Sequence, residues 1–326
     1  MVKILLDDAV EEMLFNDEAR GISKNTIDKH RKYLGMFTRF LNSIQINYID
    51  EVEPRNIKIF MIKKYHEGSA ESYVNTFLRS IRALFLYCEN EEYISFKDNP
   101  TKNVKWMKEE KKAIRTFTDS EVKSILKYCN EQTKKGVKKK SRENAGLLTK
   151  FTRERDYLLV LLLVDTGMRI SEALNLRMED IQSDEISIKR AKGKKGRIMY
   201  ISSILQKQIM KYERAKKMYF DTKDFDVSEY LFINKNGNKY ARDMSERDIK
   251  RICDGCGIDN DNIQKTPHGF RHFFAQNLVI NKVNIYVIQR LLGHSSIKTT
   301  EIYLNSLNYK EVIKIGKENS PLKNLR

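Results

Sequence analysis

The sequence predicts a mainly α-helical chain with a small β-hairpin or sheet, divided into two domains. Three observations predict it. Apolar residues recur at helical spacing over most of the 326 residues. The periodicity breaks at residues 97–116, a polar and mostly basic stretch containing Pro100. β-type alternation is confined to short runs after residue 179. The length agrees with about two domains of roughly 100–200 residues each.

The elements follow in order. Ser23 is a candidate N-cap, and Ile27, Leu34, Phe37, Phe40 and Leu41 recur behind it at helical spacing. Pro54 suits the first turn of a helix carrying Ile57, Ile59 and Phe60. Tyr73, Phe77, Ile81, Leu84 and Phe85 mark another helix, from Ala70 to about Glu89. Residues 1–100 therefore form a small domain of four or five helices. Residues 101–116 are assigned as a basic linker able to lie along a phosphate backbone, and residues 117–326 as the second domain.

Phe117, Thr118, Asp119 and Ser120 supply cap residues for the next helix. Lys134, Lys135, Lys138, Lys139, Lys140 and Arg142 then crowd one segment, which is either a solvated loop or a phosphate-contacting one. The longest apolar run, residues 157–164 (YLLVLLLV), falls far short of the ~18 residues of a membrane span and predicts a buried helix over 153–165. Residues 186–188 and 198–201 flank a Gly/Lys turn as a hairpin. Residues 203–220 return to helix, 230–240 resemble a short strand with an Asn-Gly turn, and the pattern is helical again from about 245. Residues 308–320 suit a short terminal helix.

Lys and Arg number 61 against 44 Asp and Glu, a formal net charge of +17. That excess favours a polyanionic partner, nucleic acid being the commonest, although an AT-rich coding background also raises lysine content. The opening MVKILLDDAVEEML turns acidic after six residues, without a basic region leading into a long apolar one, so no signal peptide and a cytoplasmic location are expected. Four cysteines are few for this length and suit a reducing compartment. Cys253 and Cys256 make a lone CxxC without a second ligand pair, so free thiols and no metal are expected.

Four fragments carry chemistry: DTGMRISEALNL (165–176), AKGKKGR (191–197), TPHGFRH (266–272) and LLGHSSIKTTEIY (291–303). Together they supply the parts of a metal-free phosphoryl transfer. Arg169 and Arg271 can each grip two phosphate oxygens where charge develops. Tyr303 is the candidate nucleophile; its phenol, with an ordinary pKa of about 10, needs neighbouring cations and a proton acceptor such as His268. Lys192, on the hairpin turn, can protonate the leaving oxygen, and His294 can hydrogen-bond the phosphate. No dense carboxylate cluster suggests a two-metal site, and no GxxxxGK[ST] suggests ATP, so no cofactor is expected.

The same fragments resemble those of the tyrosine recombinase, or phage integrase, family. Its members carry an arginine in a TGxRxSE segment, a lysine in a GKGxKxR-type hairpin, an HxxR motif, and LGH followed nine residues later by a tyrosine. Residues 167–172, 192–197, 268–271 and 292–294 with Tyr303 match these in order and spacing. The resemblance covers essentially the whole chain, with SKNTIDKHRKYLGMFTRFL similar to part of the family's core-binding domain. It implies a two-domain clamp, a helical core-binding domain plus a mixed α/β catalytic domain, acting on double-stranded DNA at specific recombination sites. It implies attack by Tyr303 to give a 3′-phosphotyrosyl intermediate without metal or ATP. It further implies a monomer in isolation, a homotetramer on DNA passing through a Holliday junction, and exchange of the C-terminal tail between protomers. A housekeeping Xer-like enzyme and a mobile-element integrase both remain open. The competing functions are a type IB topoisomerase-like enzyme and a catalytically silent DNA-binding regulator.

Each functional reading has a plainer rival. Glu172 is expected to orient His268 or an arginine. His268 and His272, four residues apart, could mimic a zinc pair, but HGFRH lacks the glutamate of HExxH, so His272 is assigned a structural role. Lys192 is preferred over Lys194 and Lys195 as general acid. Those two, Arg197 and the basic segment around 134–142 are expected to contact DNA. Trp106 is expected to pack, and His30 and His66 to be ordinary surface or satisfied histidines.

Overall fold

The structure, a computed structural model, describes residues 3–109, 116–135, 143–188, 196–221, 223, 226–258, 263–304 and 313. It divides into two compact units, Met1–Lys112 and Ala113–Arg326.

The first unit packs four helices, α1 (Leu6–Ala19), α2 (Lys24–Ser43), α3 (Pro54–His66) and α4 (Glu71–Asn90). Local chemistry sets their starts. The Ser23 hydroxyl accepts from the Thr26 amide at 3.3 Å, and Pro54 stands in the first turn of α3 where its missing N–H costs nothing. The predicted apolar stripes converge into one core. At its centre the buried Phe77 ring lies 4.9 Å from Tyr33, 5.4 Å from Phe60 and 5.1 Å from Tyr73, mostly edge to face. All of Ile57, Ile59 and Phe60 lie on α3 as expected; Ile57 and Phe60 are buried, and Ile59 is 42% exposed because the helical period points it outward. His30 is a satisfied histidine, 3.1 Å from Asp17.

Residues 101–109 dock on this unit rather than hang as a linker. Val104 is buried in the same core. The Asn75 amide donates to the Met107 carbonyl at 3.0 Å and accepts from its N–H at 2.9 Å. Arg82 donates to the Val104 carbonyl at 2.7 Å and lies over the Trp106 ring at 4.3 Å. Side chains of α4 thus supply the backbone partners that an extended segment otherwise finds in water.

The second unit begins with α5 (Asp119–Lys134), where Thr118 and Glu121 form a capping box. Helix α6 (Glu143–Thr166) starts ten residues earlier than the apolar run suggested, and its apolar turns are buried against α5 and α8 (Ser203–Phe220). After the short α7 (Ile170–Ala173) comes an antiparallel sheet of β1 (Ile181–Gln182), β2 (Glu185–Ile188) and β3 (Arg197–Tyr200), in the order β1-β2-β3. Ile186 faces Met199 and Ile188 faces Arg197, so the expected hairpin is present with one extra strand. Helices α9 (Arg242–Gly255), α10 (Pro267–Ile280), α11 (Ile285–Leu292) and α12 (Lys298–Leu304) complete the unit.

Residues 230–240 keep the expected Asn-Gly turn, with left-handed Gly237 donating to the Asn234 carbonyl at 3.1 Å, but the expected strand is reduced to single bridges, Tyr230 to Arg177 and Ile233 to Lys239. Leu231, Phe232, Ile233 and Tyr240 are buried in the core of this unit, and the Tyr212 hydroxyl donates to the Leu231 carbonyl at 2.9 Å. Lys134 ends α5 and Lys135 is exposed beside it. Lys138, Lys139, Lys140, Arg142, Lys192, Lys194, Lys195 and the terminal segment 308–312 and 314–320 lie outside the described residues. Among the described residues no helix is long and apolar enough to cross a membrane.

Phe77→Ala should cost about 3–5 kcal/mol, the usual penalty for emptying a buried aromatic site. Trp106, the single tryptophan, packs on this unit, so its fluorescence in urea should report the shift; an unchanged midpoint would contradict the packing described.

Candidate active site

Two glycine-ended helices and one buried arginine assemble the site. Helix α6 stops at Thr166, and Gly167 takes a left-handed φ of 57°. A Cβ there would meet the Phe274 ring at 2.3 Å, so no other residue fits this turn without moving α10. The turn delivers Arg169 as the N-cap of α7 in extended conformation. Glu172, one turn on, accepts from the Arg169 amide at 2.9 Å and its guanidinium at 3.0 Å. Helix α11 likewise ends in left-handed Gly293 (φ 65°), after which the chain presents His294.

Arg271, on α10, is 2% exposed and bridges the two turns. It donates to the Gly167 carbonyl at 2.8 Å and to the Leu292 carbonyl at 2.7 Å. Arg169 approaches the next carbonyl, that of Gly293, at 3.5 Å. His294 Nδ1 lies 2.9 Å from the Thr300 hydroxyl, which ties it to the start of α12. That helix brings Tyr303, 5% exposed, against the His272 ring at 5.4 Å and nearly parallel to the His294 ring at 6.4 Å. His268 and His272 meet edge to face at 4.3 Å.

The structure therefore brings Arg169, Glu172, His268, Arg271, His294 and Tyr303 together from three of the four fragments. Lys192 lies outside the described residues. Arg197 turns the opposite way from the expected DNA contact. Its side chain is 10% exposed, and its two terminal nitrogens hold the Glu172 oxygens at 3.0 and 2.7 Å. A planar fork facing a carboxylate is its best-matched partner in the protein interior. His272, assigned a structural role from sequence, is the imidazole of that pair whose ring lies against Tyr303. Its Nδ1 is buried and has no hydrogen-bond partner among the described residues. Its spacing from His268 was the one sequence signal for it.

The electrostatics are those of a cation-rich pocket with its histidines kept neutral. Burial, the neighbouring His268 and Arg271 hold His272 down at about 4. Burial, with Arg271, Arg169, Arg197 and His268, holds His294 at about 4. Burial and the two arginines also lower His268. Burial and the charge of Arg169 bring Arg271 down to about 10, still protonated at neutral pH. Burial raises the Tyr303 phenol, while the charges of Arg271 and Arg169 and a hydrogen bond from Arg271 oppose that rise. Burial alone would raise Glu172; hydrogen bonds from Arg197 and the Arg169 backbone, with both charges, override it and leave the carboxyl at about 2. Guanidinium donors and neutral imidazoles around a phenol suit an anionic oxygen cluster such as a phosphodiester.

Residues 115–310 match the model of the phage integrase family, and residues 12–92 match that of the phage integrase N-terminal SAM-like domain. This chain belongs to the phage integrase family. The recombinase is 28% identical to tyrosine recombinase XerC of Thermodesulfovibrio yellowstonii, over 93% of this chain and 92% of that protein. It is also 28% identical to tyrosine recombinase XerD of Staphylococcus saprophyticus, over 91% of this chain and 94% of that one. Among solved structures it shares its fold with the XerH recombinase bound to difH substrate in a post-cleavage complex (TM-score 0.70, 20% identity, 94% of this chain and 82% of that one). The Tn1549 transposon integrase with transposon right end DNA matches equally (TM-score 0.70, 18% identity, 97% and 100%). So does a lambda integrase tetramer bound to a Holliday junction (TM-score 0.69, 15% identity, 92% and 77%).

The neutral histidines make stability pH-dependent. Unfolded imidazoles protonate near about 6.5, whereas His272 and His294 stay neutral in the fold down to about 4. The unfolded state binds more protons between those values, so this stability is complete above about pH 6.5 and is lost as pH falls towards 4. The recombinase should show a Tm that drops across that window, and His272→Gln should make the drop shallower. A Tm that climbs on acidification would contradict the burial.

Proposed function

We propose that Tyr303 is the nucleophile with which this recombinase cuts and rejoins duplex DNA at specific sites. The observation that carries the proposal is the placement of its phenol against Arg271, His272 and His294, with Arg169 fixed on the adjoining turn.

Arg169 and Arg271 bind the non-bridging oxygens of the scissile phosphate. Each guanidinium has five N–H donors, so the carbonyl bonds of Arg271 leave further donors for the substrate. The phenol oxygen attacks phosphorus, the P–O5′ bond breaks, and a 3′-phosphotyrosyl link forms. The phenol proton passes to the neutral imidazole pair of His268 and His272, of which His272 adjoins the ring. His294 donates a hydrogen bond to the phosphate, and Lys192 protonates the leaving 5′-oxygen. A 5′-hydroxyl of the partner duplex then attacks the phosphotyrosine, reversing these transfers. The phosphoester energy is retained throughout, so the cycle consumes no ATP.

A cytoplasmic protein of net charge +17 suits this polyanionic substrate. Lys134 and Lys135, with the lysines of 138–140, Arg142, Lys194 and Lys195, add phosphate contacts. The assembly on DNA is a homotetramer of chains that are monomers in isolation, joined by exchange of their C-terminal tails. The lambda integrase tetramer on a Holliday junction, a fold relative, supports the tetramer.

The test uses a nicked duplex carrying the site that the protein selects from a random-sequence pool. The wild type should accumulate a covalent protein–DNA adduct and Tyr303→Phe none. Arg169→Ala should slow adduct formation on the order of 10²–10³-fold, as when a transition-state donor is lost. An adduct of equal yield from Tyr303→Phe would remove the assignment.

A further inference from the structure

Glu172 is a carboxylate set among the cations of the site, and it is bonded twice over. Its Oε1 accepts from the Arg169 and Arg197 guanidinium groups, both at 3.0 Å. Its Oε2 accepts from the Arg169 amide at 2.9 Å and from Arg197 at 2.7 Å. The Arg197 side chain is 10% exposed, whereas that of Arg169 is 41% exposed.

We infer that Arg197 is a positioning residue for Arg169, acting through Glu172, and not a DNA contact. The inference rests on the proposed role of Arg169 at the scissile phosphate. Two physical effects support it. First, two parallel hydrogen bonds fix the carboxylate in one rotamer, and that rotamer is the seat of the Arg169 guanidinium. Second, the charges must balance. Arg169 and Glu172 alone sum to zero and would offer a phosphate no net attraction. With Arg197 the trio sums to +1, so the Glu172 charge is answered from inside the protein and that of Arg169 stays available to substrate. Arg197 also stands opposite Ile188 at the end of the β2–β3 pair, so its ion pair with Glu172 anchors that end of the sheet beside the site.

The experiment measures single-turnover adduct formation and DNA affinity separately, on the selected nicked duplex, with each variant confirmed folded by circular dichroism. Arg197→Met should slow adduct formation on the order of 10–100-fold, typical of a residue that orients a reacting group's partner. Its DNA affinity and the slope of log K against log salt should stay as in the wild type, since no phosphate contact is removed. Arg197→Lys, which keeps the charge but not the fork, should recover part of the rate. Glu172→Gln combined with Arg197→Met should be faster than Arg197→Met alone, because the carboxylate charge that then neutralises Arg169 is gone. A salt slope reduced by about one, with the rate recovering at saturating DNA, would show that Arg197 holds phosphate and overturn the inference. So would a double variant no faster than the single one. If Tyr303→Phe still forms the adduct, the reading of the site itself fails, and that control separates the two outcomes.

Discussion

The buried guanidinium of Arg271 is the constraint on which the site depends. It joins the carbonyls of Gly167 and Leu292, residues 104 and 21 positions away along the chain. Those carbonyls belong to the turns that end α6 and α11. Arg169 follows one turn and His294 the other, each by two residues, so a single side chain sets the spacing between them. Taking a cation out of water is costly, and the two charge-assisted bonds offset part of that cost. The remaining cost shows in the lowered affinity of Arg271 for its proton, and a bound anion would relieve it.

The surrounding histidines follow from the same field. Burial first, and then the charge of Arg271 with that of Arg169 near His268 and His294, disfavours a protonated imidazole, so His268, His272 and His294 are lowered from their ordinary values. Neutral imidazoles can accept a proton, which a cationic site otherwise lacks the means to do. Glu172 is the counterweight: held by Arg197 and Arg169, it remains ionised and moderates the cationic crowd. Donors for an anion, acceptors for a proton and one internal counter-charge thus occupy a small volume of the second unit.

Glycine and cap residues make this geometry possible at low conformational cost. Gly167 lets α6 end against the face of α10 where any side chain would collide with Phe274. Gly293 reverses the chain so that α12 can lay Tyr303 back over His294. In the first unit Ser23, Pro54 and the aromatic cluster around Phe77 do the corresponding work, starting helices locally and then packing them. The docking of residues 101–109 on α4 extends that unit beyond its last helix.

Much of this was determined by the sequence itself. Helix starts at Ser23, Pro54 and Thr118 are local events between residues two or three apart, and apolar period names the faces that pack. The motif spacing singled out Arg169, Arg271, His268, His294 and Tyr303, and the fold brings these side chains into one pocket. What only the tertiary structure decided lies in pairs that are distant along the chain. Arg197 could have faced DNA; a carboxylate 25 residues before it turned it inward. His272 could have been mere packing; α12 folded Tyr303 onto it from 31 positions away. Residues 101–109 could have been free; the amide of Asn75, 32 residues from Met107, held them. Caps and periods act over a turn of backbone, so sequence displays them. A side chain's partner is chosen by whichever complementary group the fold brings within about 3 Å, and that choice exists only once the fold has formed.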